Sequence, residues 1–151
     1  MTQKRWAKIS ALVGIVGGPL SLFFLFMLFA AGLGASRSGA LISLALAVTT
    51  LAIIFFVALK SARYYKKDER VNPVIAKLFV ASSGIGFIIS FLIGSANVPI
   101  LSEFLDWVLL ALFDGNDGFQ SALLLMFLSA LLSVVWGIYY AMCLRKFEDS
   151  D

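Results

Sequence analysis

Residues able to do acid–base or nucleophilic chemistry are few in this 151-residue sequence, and they are unevenly spread. Four acids, Glu103, Asp106, Asp114 and Asp117, fall in the segment 96–120, which holds no Lys or Arg. Neighbouring carboxylates can work as an acid and a base, and a cluster of them can hold a hard cation. The run Asp114-Gly115-Asn116-Asp117-Gly118 has the residue types of a calcium loop, but it lacks the ligand spacing and closing Glu of an EF-hand, so it reads as a turn. Ser82, Ser83, Ser90, Ser129 and Ser133 are the candidate nucleophiles. A serine hydroxyl needs a base beside it, and the sequence contains no His. One cysteine, Cys143, excludes an intramolecular disulfide and, without His, a Cys/His metal cluster. Gly84 and Gly86 lie in an apolar run with no following Lys and do not make a phosphate-binding loop. The expectation is therefore no catalytic residue, no cofactor and no metal, and hence no enzyme.

The elements that would position these residues follow from composition. Hydrophobic residues make up 61% of the chain and charged residues 14%, where a globular domain carries about 25% charged. So apolar a chain cannot cover its surface with polar groups, which makes lipid its expected solvent. Lipid offers backbone groups no hydrogen-bond partner, so spanning elements are helices or closed barrels. The apolar runs are continuous rather than alternating, which rejects a barrel. The expected fold is an all-α membrane protein, a single domain with four transmembrane helices over about 9–33, 40–59, 74–95 and 121–144. The first run is longer than the about 7–15 residues of a signal-peptide core, so it reads as an uncleaved span. No ionisable residue lies at the centre of any span, which argues against proton-coupled transport and intramembrane proteolysis. Between the third and fourth spans, 100–113 puts Ser102, Glu103 and Asp106 on one face and Phe104, Leu105, Val108 and Leu112 largely opposite. That is the pattern of a short amphipathic helix lying in the interface on the outer side, with Trp107 at head-group level.

Positive charge orients the spans. Six of the twelve Lys and Arg residues, Lys60, Arg63, Lys66, Lys67, Arg70 and Lys77, sit in the eighteen positions 60–77. Lys4, Arg5 and Lys8 open the chain, Arg145 and Lys146 close the last span, and Arg37 stands alone in the first connection. Cytoplasmic loops keep the positive charge, so both termini and the 60–77 loop are expected inside. These cations hug the ends of apolar runs, so their expected partners are anionic lipid head groups rather than nucleic acid. Asn72 and Pro73 read as the cap and first residue of the third helix.

Two small-residue patterns bear on packing. Ser82, Gly86, Ser90 and Gly94 recur every fourth position in the third span, a ladder that lets another helix approach closely. Gly17, Gly18 and Pro19 interrupt the first span, where Pro19 cannot donate to the carbonyl four residues back and a kink is expected. Such a kink lines binding sites in some transporters, but in most membrane helices it serves packing alone.

Three stretches carry a likeness. They are GIVGGPLSL at Gly14–Leu22, RVNPVIAKLF at Arg70–Phe79 and VVWGIYYAMCLRKF at Val134–Phe147. With these the chain resembles the bacterial inner-membrane family called domain of unknown function 2569. The resemblance implies a four-span protein of the bacterial inner membrane and supplies no activity or ligand. The residues favour a non-enzymatic protein acting through protein–protein contacts, as a subunit, regulator, assembly partner or homo-oligomer. A small transporter or oligomeric channel is the alternative, and a membrane-acting effector or immunity protein a further one.

Overall fold

The structure, a computed structural model, describes residues 2–33, 37–96, 103 and 116–148. Four helices account for almost all of them: α1 (Gln3–Leu33), α2 (Arg37–Tyr64), α3 (Pro73–Ala96) and α4 (Asn116–Glu148). No strand occurs among the described residues. The shortest helix, α3, has 24 residues. At 1.5 Å per residue that is about 36 Å, more than the roughly 30 Å of bilayer hydrocarbon. All four are long and apolar enough to cross a membrane.

The helix ends differ from the sequence expectation in instructive ways. The basic start is helical, since α1 begins at Gln3 rather than near residue 9. Asn116, Asp117 and Gly118 belong to the first turn of α4 rather than to a free turn. Asn and Asp are at home there, because the first turn of a helix leaves N–H groups unpaired and carries a partial positive charge. The amphipathic helix expected over 100–113 lies outside the described residues, apart from Glu103, which is exposed. Asp106 and Asp114 lie outside them as well.

The helices form a ring in chain order. α1 packs on α2 and α4, and α3 packs on the same two helices. Consecutive helices run antiparallel: Ser10 near the start of α1 meets Ser61 near the end of α2, and Phe79 near the start of α3 meets Trp136 and Tyr140 in the second half of α4. This is the up-down-up-down bundle that short connections favour.

What α1 buries is mostly small. The buried stripe of α1 is Ala7, Ser10, Ala11, Gly14, Gly17, Gly18, Ser21 and Leu25. Large side chains point outward instead, among them Leu12, Phe23, Phe26, Ile53, Phe56, Phe91, Leu124, Val135 and Met142. A water-soluble bundle does the reverse, placing its large apolar residues inside. Lipid removes the advantage of burying them, so close helix contact through small residues takes over. The pattern is that of a multi-pass membrane protein.

The α1–α4 seam brings two helix backbones together. A Cβ on Gly14 would lie 2.6 Å from the Gly137 Cα, and one on Gly137 would lie 2.5 Å from the Ile15 backbone nitrogen. A Cβ on Gly18 would meet Val134 Cγ2 at 2.5 Å and the Ala130 carbonyl oxygen at 2.8 Å. Here backbone rests on backbone.

Four buried serine hydroxyls are satisfied within their own helices. Ser21 donates to the Gly17 carbonyl at 2.8 Å, Ser83 to Phe79 at 2.7 Å, Ser90 to Phe87 at 2.8 Å and Ser133 to Ala130 at 2.7 Å. Two connections cross between helices in addition to the Ser10–Ser61 pair at 2.9 Å. Ser129 donates to the Ser82 carbonyl at 2.9 Å, and the Trp136 indole N–H donates to Ser82 Oγ at 3.2 Å. In hydrocarbon each such bond spares a polar group from lacking any partner.

Candidate functional site

The α2–α3 turn carries the most charged part of the sequence, and the structure folds it across the ends of α1 and α4. Its anchor is Tyr65, 2% exposed, whose ring lies 6.3 Å from that of Tyr140 and 5.5 Å from that of Phe147. The Tyr65 hydroxyl donates to the Gln3 carbonyl at 2.5 Å. Burial, chiefly, pushes the phenol above its ordinary range, with Tyr64, Tyr140 and Asp68 adding to the effect, so Tyr65 remains a donor at any physiological pH.

Asp68 and Arg70 make the second anchor. The guanidinium meets the carboxylate in a fork, Nε to Oδ1 and an Nη to Oδ2, each at 3.0 Å, and the Arg70 backbone N–H also donates to Oδ1 at 3.0 Å. The hydrogen bond from the Arg70 side chain is the main reason that the Asp68 carboxyl sits below its ordinary pKa. Arg70 further donates to the Gln3 side-chain oxygen and stacks 4.3 Å above the Phe147 ring centroid. Behind it, Cys143 Sγ approaches the Arg70 carbonyl at 3.8 Å. The next residues start α3: the Asn72 side chain accepts from the Val74 N–H at 2.9 Å, while the Asn72 N–H donates to Tyr139 Oη at 2.7 Å. Lys4 pairs with Glu148 at 3.3 Å. The start of α1, the α2–α3 turn and the end of α4 are thus stitched together at one end of the bundle.

That end gathers all three basic segments of the sequence. Lys60, Arg63, Lys66, Lys67 and Lys77 are exposed there. Arg70 differs: its side chain is 31% exposed and turned onto Asp68, Gln3 and Phe147.

The small-residue ladder of α3 divides between two neighbours. Ser82 and Gly86 face α4, where Ser82 bonds Trp136 and a Cβ on Gly86 would collide with Ser129. Ser90 is fully buried. Gly94 faces α2, and a Cβ there would find only Val48 at 3.6 Å and Leu44 at 4.0 Å, which is ordinary contact. Gly94 sits beside an open groove of about 390 Å³ between α2 and α3, lined also by Leu44, Ala45, Val48, Thr49 and Phe91. At the expected kink, α1 stays helical through Pro19. Gly17 turns to Ile54 of α2, Gly18 turns to α4, and Pro19 is exposed.

Two features escaped the sequence reading. The Gly14–Gly137 contact sets backbone against backbone, and its sequence signal is the recurrence of Ala, Ser and Gly every three or four residues from Ala7 to Ser21. The anchoring role of Tyr65 had no signal beyond an aromatic residue at a helix end. The serines named above bind carbonyls, and among the described residues no group of three His, Cys, Asp or Glu side chains could hold a metal ion. Comparison with protein-family models, with curated proteins and with solved structures gives no match to this chain.

Proposed function

We propose that the chain is a four-span protein of a bacterial inner membrane that acts, without catalysis, by holding another membrane protein. Its basic end faces the cytoplasm. Support comes from the gathering of Lys4, Arg5 and Lys8, the 60–77 loop, and Arg145 and Lys146 at that one end, away from Arg37, since positive charge is retained on the cytoplasmic side. The likeness to domain of unknown function family 2569 fits the same setting. An outer amphipathic helix over 100–113 would complete the topology.

The observation that carries the reading is the groove beside Gly94. It is open, apolar and bordered by Ala45, Thr49 and Gly94 on two helices. Small residues on facing walls let the backbone of a third helix come close, which is how helices associate in lipid. A single transmembrane helix of a partner protein fits this groove better than a flat surface would. The test is Gly94→Leu, whose Cβ would make only ordinary contact with Val48 and Leu44 and whose side chain is expected to enter the groove. Wild-type protein extracted in mild detergent should elute with a stoichiometric second membrane protein, and the variant should elute folded but alone. Retention of the partner by the variant would sink the proposal, as would ion flux through liposomes holding only the pure chain. Elution of a dimer of this chain would make the occupant a second copy. A reporter fused at position 110 should report the outer side; a cytoplasmic signal would reverse the orientation.

A further inference from the structure

The cations at the basic end are not alike. Lys4 is paired with Glu148 and Arg70 with Asp68, so both are neutralised within the bundle. Arg5 and Lys8 are exposed, lie one helical turn apart on α1, and make no ion pair among the described residues. Arg5, Lys8, Leu12 and Ile15 follow the three- and four-residue spacing that keeps side chains on one helix face. Along that face the side chains change from charged to apolar: Leu12 is 63% exposed and Ile15 40% exposed. Together with Ile9 and Ala11 these residues line a groove of about 500 Å³. Its mouth carries two positive charges and the rest is hydrocarbon.

A soluble phosphate would use only the mouth, and an uncharged lipid only the remainder. A molecule with an anionic phosphate and a hydrocarbon chain uses both. We infer that this groove is a binding site for one anionic glycerophospholipid. Its phosphate lies between the Arg5 guanidinium and the Lys8 ammonium, and one acyl chain runs along Ile9, Leu12 and Ile15. The guanidinium can present two parallel N–H groups to the phosphate oxygens and the ammonium a further donor. Both cations stand at the end of α1 that leaves the hydrocarbon, the depth at which phosphate head groups lie. The site rests on the four-span reading for its depth, but its occupancy can be measured without a membrane.

Full-length chain in neutral detergent would be titrated with phosphatidylglycerol, phosphatidylcholine and glycerol 3-phosphate and followed by native mass spectrometry. One phosphatidylglycerol should bind first, with phosphatidylcholine at least about tenfold weaker and glycerol 3-phosphate not retained. Replacing both cations, R5Q with K8Q, should weaken phosphatidylglycerol binding roughly thirtyfold, while the charge-conserving pair R5K with K8R should stay within about threefold of wild type. The control pair K66Q with K67Q removes equal charge from the turn and should leave binding within about twofold. The site is overturned if R5Q with K8Q binds as wild type does. It is also overturned if the control pair loses as much, which would mean diffuse attraction to the basic end, or if glycerol 3-phosphate binds as tightly as the lipid, which would mean a phosphate site without a lipid. None of these failures bears on the Gly94 groove, which lies between two other helices.

Discussion

Where α1 crosses α4, Gly14 lies against Gly137 and Gly18 against Ala130 and Val134, so that one added carbon on either Gly14 or Gly137 would stand 2.5–2.6 Å from the other backbone. Where α2 meets α3, Phe55 stacks on Phe87 with ring centroids 5.7 Å apart and 16° between planes, and the Phe55 ring also covers Gly84. Further along the same seam, at Gly94, the walls part into an open groove. The first seam uses small residues to close on itself. The second is propped apart by aromatic rings and leaves its last glycine available. Glycine in a membrane helix thus marks a place where a backbone can come close, and only the distances say whether a neighbour has already taken it.

One substitution applied to both seams tests that difference. Gly137→Leu should be the most damaging change, costing at least about 3 kcal/mol, because the clash is with backbone and cannot be relieved by turning a side chain. Denaturation in increasing SDS, followed by helical content or aggregation on size exclusion, would show it. A near-normal transition would mean that the α1–α4 crossing is looser than its distances. Next comes the stitched end. Tyr65→Phe removes the hydroxyl that binds the Gln3 carbonyl and should cost about 1 kcal/mol in the same assay, leaving the packed ring in place. Asp68→Asn should cost about 1 kcal/mol or less, since its partner is partly exposed. This one has a pH signature. The folded carboxyl titrates below its ordinary value of about 4, so its contribution is present above that value and is lost as the pH falls through the folded pKa. Wild-type stability should therefore decline on acidification in that range, with a smaller decline in the variant. The mildest change should be Gly94→Leu, within about 0.5 kcal/mol of wild type, because the added side chain enters the groove. A large loss there would erase the contrast between the two seams.

Much of the architecture was readable from the sequence because lipid enforces long, continuous apolar runs, and the clustering of 60–77 pointed to a loop at one end. The neighbour of each helix was less accessible. An every-fourth ladder looks like one face, but each step of four residues overshoots a full turn by about 40°. From Ser82 to Gly94 that drift adds up to about 120°, enough to turn from α4 to α2, and the structure shows this division. The Gly14–Gly137 contact joins residues far apart in the chain, and no local pattern pairs them. Arg70 read as one lipid-facing cation among six because charge alone was counted. The Asp68 two residues before it, and the turn that brings Phe147 and Gln3 alongside, are what draw it inward.

The Gly14–Gly137 seam also has a consequence for biosynthesis. The ribosome delivers α1 first and α4 last of the four helices, so the glycine stripe of α1 spends the making of the other three without the surface that fits it. Gln3 can meet Tyr65 and Arg70 once the α2–α3 turn is made, whereas Lys4 waits for Glu148 at the end of α4. The α1–α4 crossing and the Lys4–Glu148 tie therefore form only when the final helix arrives. Premature release of the chain before residue 137 would leave a bare stripe of small residues open to any other helix in the bilayer.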